Sequence, residues 1–309
     1  MSGKYLAFGL ILESPIVLHE AFPASPDTIP DVTIRFGELR EELPKDEGFI
    51  KARADKSWWW SVPDETRTIF VCAHGLFDIR NGNEIFVSPY PDADDELIKI
   101  FILGSAMGAI QAQRGRIPLH GGAISTDRGA LIISGGQGAG KSSMTSAFVH
   151  NGYHYLTDDV SSVSIIKEQV IVIPAYPQRK LVRDACAPLK LNPDDLVLVD
   201  GERDKLAIRD RDNWRQEPTE LWAIIELYPL SKEEKVSAEP ITGHAKLSSV
   251  TRNLYRTWMH LPGGIMKPDI FKKILTIAEK AKTYRVGVPR DIDNIAGIAR
   301  DVASALEKQ

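Results

Sequence analysis

The chain has 309 residues and a formal net charge of −4, from 38 Lys and Arg against 42 Asp and Glu. Its apolar share of 43% and charged share of 26% are ordinary for a soluble folded protein, which excludes a disordered or low-complexity chain. Two cysteines exclude a disulfide scaffold, and the weak negative charge gives no global field that would recruit nucleic acid or an anionic membrane. The length predicts about two domains, on a prior of roughly 100–200 residues each.

The first part of the chain, residues 1–93, is predicted to form a β-rich domain. Its opening apolar stretch, residues 6–12, is interrupted by Glu13 and Pro15 and is not followed by a small-residue cleavage site. We therefore interpret it as a strand rather than an export signal. We expect the protein in the reducing cytoplasm, because the sequence shows no export signal.

Short strand patterns continue through this part. Residues 32–36 alternate between apolar and polar side chains, as a half-buried strand does. Further β-rich runs lie at 69–72, 76–79 and 84–87. Asn81-Gly82 stands between the last two runs, and this dipeptide predicts a tight hairpin. Residues 38–57 are charged and poor in pattern, which predicts a surface loop.

Residues 94–114 are predicted to form a helix that links the two domains. Three carboxylates at its start suit the free N–H groups and the dipole of a helix N-terminus, and the helix is expected to stop near Gly115. Its apolar part contains Lys99 and is too short to span a bilayer. The GxxxG spacing of Gly104 and Gly108 therefore indicates close packing of a soluble helix.

Residues 115–309 are predicted to form an α/β domain, because strand and helix patterns alternate there. The strand patterns lie at 121–124, 130–134, 161–166, 170–173 and 223–227, and the helical patterns at 141–151, 268–282 and 292–307. The fold class expected for the whole chain is α/β, with a β-rich N-terminal domain followed by this larger domain.

The sharpest signal is a complete G-x-x-x-x-G-K-[ST] motif between a predicted strand and a predicted helix. It comprises Gly135, Gly136, Gln137, Gly138, Ala139, Gly140, Lys141 and Ser142. The glycines let successive N–H groups face phosphate oxygens at a helix N-terminus. Lys141 is expected to reach the β- and γ-phosphates of a nucleotide and Ser142 to bind Mg²⁺, and Ser143 completes the nucleotide-binding set. The sequence thus predicts a P-loop domain.

Two carboxylates and one histidine lie near this loop in the predicted topology. Asp158 and Asp159 precede a strand, and adjacent side chains on an extended chain face opposite ways. One carboxylate can then face a metal ion while the other faces an acceptor hydroxyl. His120 is placed at the end of a strand that pairs with the loop strand, where it can contact phosphate or the hydroxyl. An ordinary Asp-Asp turn and a structural histidine are the alternatives.

Basic and aromatic clusters provide further candidates. Arg179, Lys180 and Arg183 follow a strand and are candidates to bind nucleotide phosphates or the carboxylate of a peptide, although a solvated charged face explains them equally well. The three consecutive tryptophans at 58–60 are favoured as a strand packed by its own domain over a surface that grips a peptide.

Five other residues receive weaker interpretations. Arg252 and Arg256 stand four apart on a predicted helix face and are candidates of the same basic kind. Glu226 ends an apolar strand and could act as a Walker B acid, but an ordinary strand-end residue is favoured. Cys72 and Cys186 have no partner at metal-ligand spacing, so no chemistry is assigned to them.

These features together resemble the catalytic domain of the HPr kinase/phosphorylase family. Residues 118–163 carry the resemblance, with a His-Gly pair at His120, the GxxxxGKS loop, a helix, a glycine-containing turn and the Asp-Asp pair. The family's later arginine-bearing loop and its second-signature glutamate have no clear counterpart, and Ser143 stands where bacterial members have an acidic residue. The β-rich first part and the segment from Gln113 to His120 are similar to related kinases that phosphorylate the C-terminal serine of lasso peptide precursors.

The resemblance implies transfer of a phosphoryl group from ATP, with Mg²⁺, to a serine hydroxyl. It assigns Asp159 as the carboxylate that takes the hydroxyl proton, Asp158 to metal or nucleotide, and His120 to the active site. Lys141 and Ser142 keep their nucleotide and Mg²⁺ roles. The implied partner is a peptide or small protein that bears a serine, most readily the C-terminal serine of a lasso precursor, and the family's ring hexamers leave a homo-oligomer open.

Other functions stay open at this point. One is an HPr-type protein serine kinase. Another is a regulatory P-loop ATPase that acts on a partner protein without phosphotransfer, or a module that only binds nucleotide. A phosphorylated product separates the kinases from the rest. No nucleic-acid or membrane partner is expected.

Overall fold

The computed structural model describes residues 2–38, 59–200 and 204–309. The chain divides into two compact units, Met1–Pro118 with Tyr255–Lys273 and Leu119–Leu254 with Ile274–Gln309. The sequence-based division at residues 93 and 114 differs from this one. The predicted linking helix belongs to the first unit, and so does a later segment that the sequence assigned to the second.

The described residues are mixed α/β, and their elements are numbered in chain order. The strands are β1 (Gly3–Ala7), β2 (Leu10–Ser14), β3 (Phe22–Pro23), β4 (Val32–Phe36), β5 (Trp59–Asp64), β6 (Arg67–Cys72), β7 (Gly75–Arg80), β8 (Glu84–Pro89), β9 (Ile117–Thr126), β10 (Gly129–Gly135), β11 (His154–Thr157), β12 (Val160–Ile166), β13 (Gln169–Ile173), β14 (Gln178–Val182), β15 (Val197–Asp200), β16 (Lys205–Arg209), β17 (Thr219–Leu230), β18 (Ser237–Pro240) and β19 (Lys282–Pro289). The α-helices are α1 (Asp95–Phe101), α2 (Met107–Gln113), α3 (Lys141–His150), α4 (Gly243–Arg252), α5 (Pro268–Lys280) and α6 (Ile295–Glu307). None of these helices is long and apolar enough to cross a bilayer.

The first unit is built on an eight-stranded sheet in the order β3–β1–β2–β4–β8–β7–β6–β5. Its first two strands form a hairpin that reverses at Phe8 and Gly9, where φ is 54° and 66°. The prediction of a single strand over residues 6–12 is therefore wrong, because the chain reverses direction within it. An unbroken apolar run hid a turn in which Gly9 adopts the left-handed conformation without steric cost.

The later strands of this sheet follow the sequence patterns closely. The strand predicted at 32–36 is confirmed as β4, and the three β-rich runs after it are confirmed as β6, β7 and β8. Asn81 and Gly82 have φ of 52° and 64°, the pair of left-handed residues that a type I′ hairpin requires. The hairpin prediction is therefore confirmed.

The tryptophan cluster is only partly described. The loop predicted at 38–57 falls almost wholly outside the described residues, and so does Trp58. Trp60 stacks on Trp258 of the same unit, with ring centroids 5.1 Å apart and planes at 21°. This stacking fits the interpretation of a strand packed by its own unit.

The helix predicted after residue 93 is present, with an irregular middle. Asp94 caps α1, because its side chain accepts a hydrogen bond from the backbone N–H of Glu96. A π-helical stretch over Ile102–Ala106 joins α1 to α2. A Cβ on Gly108 would lie 2.9 Å from the ring of Tyr255, so the close packing predicted from the glycine spacing is confirmed.

The second unit contains a large sheet in the order β10–β9–β12–β13–β17–β19–β18, with β11 paired to β9. β10 also pairs with β17, in parallel, and β17 runs parallel to β19. The carboxyl ends of β10, β17 and β19 therefore share one edge of the sheet. A second, three-stranded sheet has the order β14–β16–β15. The isoleucines of β10 and β17, including Ile132 and Ile224, are buried, so these two neighbouring strands contribute to the core of the unit.

Both cysteines are free and buried, Cys72 in the first unit and Cys186 in the second. Burial raises the pKa of each thiol above its ordinary value. Both are therefore protonated at neutral pH and chemically quiet, as structural cysteines are.

Candidate active site

The glycine-rich loop has the strand–loop–helix order of phosphate-binding loops. β10 ends at Gly135 and α3 begins at Lys141, which confirms the predicted flanking elements. Gly138 and Gly140 have φ of 77° and 88°, in the left-handed region where glycine is favoured. A Cβ at either glycine would meet no atom within 4 Å. The loop therefore presents its backbone to open space at the N-terminus of α3, where N–H groups and the helix dipole favour an anion.

Lys141 lies folded over this loop. Its Nζ donates hydrogen bonds to the carbonyl oxygens of Gly135, at 2.9 Å, and of Gly136, at 3.1 Å. Burial lowers the pKa of the ammonium, and the charge of Asp159 opposes that shift. An ammonium has three donors, so one donor remains after these two bonds for a group placed above the loop.

The two hydroxyl residues after Lys141 differ in exposure. Ser142 is half-buried at the start of α3, whereas Ser143 is buried with a relative exposure of 9%. Ser142 is therefore the hydroxyl that a ligand above the loop can reach directly, in keeping with its predicted metal role.

The Asp-Asp pair lies in the turn between β11 and β12, and its two carboxylates do face different surroundings. Asp159 has φ of 69°, an uncommon left-handed conformation for a non-glycine residue. Asp158 is 7% exposed, and its Oδ2 accepts a hydrogen bond of 2.7 Å from the backbone N–H of Lys180. The side chain of Asp159 is 36% exposed and faces His120.

His120 lies on a strand that pairs with the loop strand, and its side chain contacts the Asp158–Asp159 turn. β9 and β10 are antiparallel with Gly121 opposite Ser134, so His120 lies at the loop end of the sheet, where the sequence placed it. Its Nδ1 lies 3.3 Å from the carbonyl oxygen of Asp159 and 3.4 Å from Oδ1 of the same residue. The N–H of Gly121 donates to that carbonyl oxygen at 3.0 Å, which fixes the turn against β9.

The titration behaviour of these groups follows from burial. Burial lowers the pKa of His120 below its ordinary value of 6.5, with Asp159 acting in the opposite direction. The imidazole is therefore neutral at pH 7, and a neutral Nδ1–H can donate to Asp159. Burial, and next the charge of Asp159, raises the pKa of Asp158. The site thus holds two carboxylates whose environments differ, an arrangement that separates acid–base roles.

The predicted cationic cluster does not act as one group. Arg179 is 4% exposed; its guanidinium donates to Oδ2 of Asp210 at 2.6 Å and to Oγ of Ser146 at 2.9 Å. The bond to Ser146 joins β14 to α3, and the bond to Asp210 joins β14 to the segment after β16. Arg179 is thus buried and paired within the unit, whereas the sequence made it a candidate for substrate contact. Arg183 is paired with Asp204 at 3.0 Å on the surface.

Lys180 and Lys205 are the cations of the small sheet that act on the site. The charge of Lys180 lowers the pKa of Asp158, alongside the bond from its backbone. Lys205 lies on β16 opposite Val182 of β14. Its charge reaches three groups of the site, His120, Lys141 and Asp158. Lys205 has no local signal in the sequence, because it is one lysine within a charged stretch.

Two weaker sequence interpretations need correction. Glu226 is not a strand-end residue: β17 continues to Leu230, and Glu226 pairs in register with Ser134. Its carboxylate accepts hydrogen bonds from Oγ of Ser249, at 2.7 Å, and from Arg252. Arg252 and Arg256 do not share a helix face, because α4 ends at Arg252 and Arg256 has φ of 45°.

The donor atoms at the site suit a magnesium ion. Mg²⁺ prefers hard oxygen ligands and is commonly held by one or two protein groups together with substrate phosphates and water. The Ser142 hydroxyl and the Asp158 carboxylate are groups of this kind. Within the described ranges, no three His, Cys, Asp or Glu side chains gather into a complete metal cage. An ion held by Ser142 and Asp158 would then be shared with phosphate oxygens and water.

Comparisons with known proteins give a distant likeness. No protein-family model and no curated protein sequence matches the chain. Among solved structures, the Hpr(Ser) kinase/phosphatase from Coxiella burnetii matches with 14% sequence identity. The match covers 62% of this chain and 98% of that chain, with a TM-score of 0.30. That likeness is too distant to bear on chemistry, which rests on the residues of this chain.

Proposed function

We propose that the protein is a kinase that transfers the γ-phosphoryl group of ATP to a serine hydroxyl of a peptide or protein. The observation that carries the proposal is the meeting of the GxxxxGKS loop with His120 and the Asp158–Asp159 turn at one edge of the sheet. Nucleotide binding alone does not require a partly exposed carboxylate oriented by a neutral histidine, whereas transfer to a hydroxyl uses such a group as the proton acceptor.

The loop and its lysine supply the positive side of the reaction. In this proposal the N–H groups at the start of α3 and the remaining donor of Lys141 bind the polyphosphate of ATP, and two bonds from Lys141 to loop carbonyls support its position over the loop. These groups stabilise charge on the transferring phosphoryl group as its bond to ADP breaks. Mg²⁺, when held by Ser142 and Asp158, would add Lewis-acid charge neutralisation at the same phosphates.

Asp159 supplies the proton acceptor. Its carboxylate is exposed enough for an incoming hydroxyl to reach, and the neutral Nδ1–H of His120 orients it without cancelling its charge. As the serine oxygen bonds to phosphorus, its proton passes to Asp159 and ADP departs with the electron pair of the broken bond. Asp158 is buried and bound by the backbone of Lys180, so its fixed position suits metal and nucleotide handling instead.

The acceptor is proposed to be the C-terminal serine of a lasso peptide precursor. The support is the sequence resemblance over residues 118–163 together with the β-rich first part and the segment that leads from Gln113 to His120. An HPr-type protein acceptor is the matching alternative within the same chemistry.

Transfer of labelled phosphate tests both levels of the proposal. The full chain is incubated with γ-labelled ATP and Mg²⁺ and offered a precursor peptide that ends in serine, the same peptide ending in alanine, or HPr. Label on the serine-ended peptide alone is the expected result. Label on HPr alone would contradict the lasso assignment, and release of free phosphate without any labelled acceptor would contradict the kinase proposal.

A further inference from the structure

A cavity of about 290 Å³ opens directly beside the glycine-rich loop in the second unit. The loop contributes Gly138, Ala139 and Gly140, and the first turn of α3 contributes Ser143 and Met144. The opposite wall is formed by Pro229 and by the segment from Val288 to Ile295. One side of the cavity is thus formed by the loop backbone that is proposed to bind the phosphates of ATP.

The position of the cavity follows from the sheet. Pro229 lies near the carboxyl end of β17, in register with Val288 near the end of β19. These strands and β10 are parallel, and the carboxyl edge of parallel strands is where open α/β sheets bind their ligands. The cavity therefore continues the phosphate site along the edge of the sheet.

The chemistry of the lining is mainly apolar. Pro229, Pro289, Ile292 and Met144 supply apolar surface, which suits the faces of a planar ring. Asp291 is the acidic group of the lining, and Nζ of Lys232 lies 3.0 Å from its carboxylate, so its charge is compensated.

We propose that this cavity holds the nucleobase of the phosphoryl donor, which rests on the proposed function of the adjoining loop. A nucleotide has a polyanionic end and a flat, mostly apolar end. The structure offers a polyanion site at the N-terminus of α3 and an apolar cleft that shares Gly138 and Gly140 with it. Exposed Arg290 lies on the cavity lining, where a cation can stack on the base or meet the first phosphate.

A larger neighbouring cavity of about 580 Å³ is a poorer fit for the base. It lies between the β17–β18 connection and α6 and is lined by charged side chains, among them Lys235, Asp301 and Lys308. It does not include the glycine-rich loop. A base placed there would be separated from the phosphate site, because no residue of the glycine-rich loop lines this cavity.

The test compares two ligands that differ only in the part that the cavity should bind. ATP and inorganic tripolyphosphate are titrated into the full chain by calorimetry, with the wild type, Ile292→Glu and Ile166→Glu. Ile292 is half-buried in the cavity wall, and Ile166 is an exposed isoleucine at the end of β12, outside the cavity. The two variants carry the same change, so Ile166→Glu is the matched control.

Ile292→Glu should weaken ATP binding at least about tenfold, because it places a charged carboxylate in the apolar cleft that the base would fill. Tripolyphosphate has no base, so its binding should stay within about twofold. Ile166→Glu should change neither affinity. Equal ATP affinity in Ile292→Glu and wild type would overturn the assignment of the cavity. A wild type that binds neither ligand would overturn the proposed function itself, and the assignment with it.

Photolabelling provides a readout that does not depend on a variant folding. Wild-type chain is irradiated with 8-azido-ATP and digested, and the labelled peptide is sequenced. Label within residues 288–295 or at Pro229 is expected, and an excess of tripolyphosphate should suppress it by occupying the loop. Label confined to other parts of the chain would overturn the proposal even if ATP binds tightly.

Discussion

Replacing Asp159 with asparagine separates its proton-accepting role from its structural role. Asp159 has φ of 69°, and asparagine is among the few residues that adopt this left-handed conformation readily. The asparagine oxygen can also accept from Nδ1 of His120, which lies 3.4 Å from the present carboxylate. The turn between β11 and β12 should therefore survive, while the negative charge and the basic oxygen are lost.

The size of the effect follows from the exposure of the site. A positioned general base contributes about 10²–10⁴-fold to rate. Asp159 is 36% exposed, so water screens its charge, and a loose transition state for phosphoryl transfer needs little early proton removal. We therefore expect the lower part of the range, a fall in kcat of about 10²–10³-fold, or roughly 2.7–4 kcal/mol in activation free energy. The affinity for ATP should stay within about threefold, since the loop and Lys141 are untouched.

Single-turnover transfer from labelled ATP, measured alongside ATP affinity, decides the question. Asp158→Asn is the matched control, because it makes the same chemical change at the adjacent, buried carboxylate, and it should act on Mg²⁺ and nucleotide affinity. Transfer at the native rate by Asp159→Asn, with slow transfer by Asp158→Asn, would reverse the two roles. Native rates in both variants would refute the mechanism.

Four further substitutions test the rest of the site. Lys141→Ala should abolish transfer and weaken ATP binding about tenfold or more, and native turnover would exclude the loop as the phosphate site. Ser142→Ala should shift the Mg²⁺ activation curve to higher concentration at unchanged melting temperature; an identical curve would place the metal elsewhere. His120→Gln should remove the loss of kcat that we expect in the wild type as pH falls through the pKa of His120, which burial lowers, because the imidazolium formed there offsets the negative charge of Asp159. A pH profile of kcat with the same acid loss in both proteins would contradict this role. Lys205→Ala should weaken ATP binding by about three- to tenfold with an unchanged circular dichroism spectrum. Equal ATP affinity in the variant and the wild type would show that the charge of Lys205 does not contribute to nucleotide binding.

Local signals predicted those parts of the fold that depend on local chemistry. The Asn81-Gly82 hairpin, the Asp94 cap and the strand–loop–helix order around Lys141 each need only a few adjacent residues of the right type. The position of His120 beside the loop was predictable from strand order, because an antiparallel pair brings the start of β9 to the end of β10.

The parts that were missed depend on contacts between distant residues. The small sheet of β14, β16 and β15 brings Lys205 to the site through pairing with β14, and no periodicity in the charged stretch around it records that pairing. Arg179 looked like a free cation in the sequence, and only the fold shows that Asp210 binds it. The turn at Phe8 was hidden because its flanking strands are apolar on both sides.

The discontinuity of the first unit in sequence sets an order of events during synthesis. A ribosome makes residues 1–118, then all of residues 119–254, and only afterwards Tyr255–Lys273, whose first residue packs on the glycine face of α2. During synthesis of residues 119–254, this face of α2 in the first unit is therefore not yet covered by Tyr255. A chain released before residue 255 keeps the face uncovered permanently, and such early products should be the ones that chaperones retain.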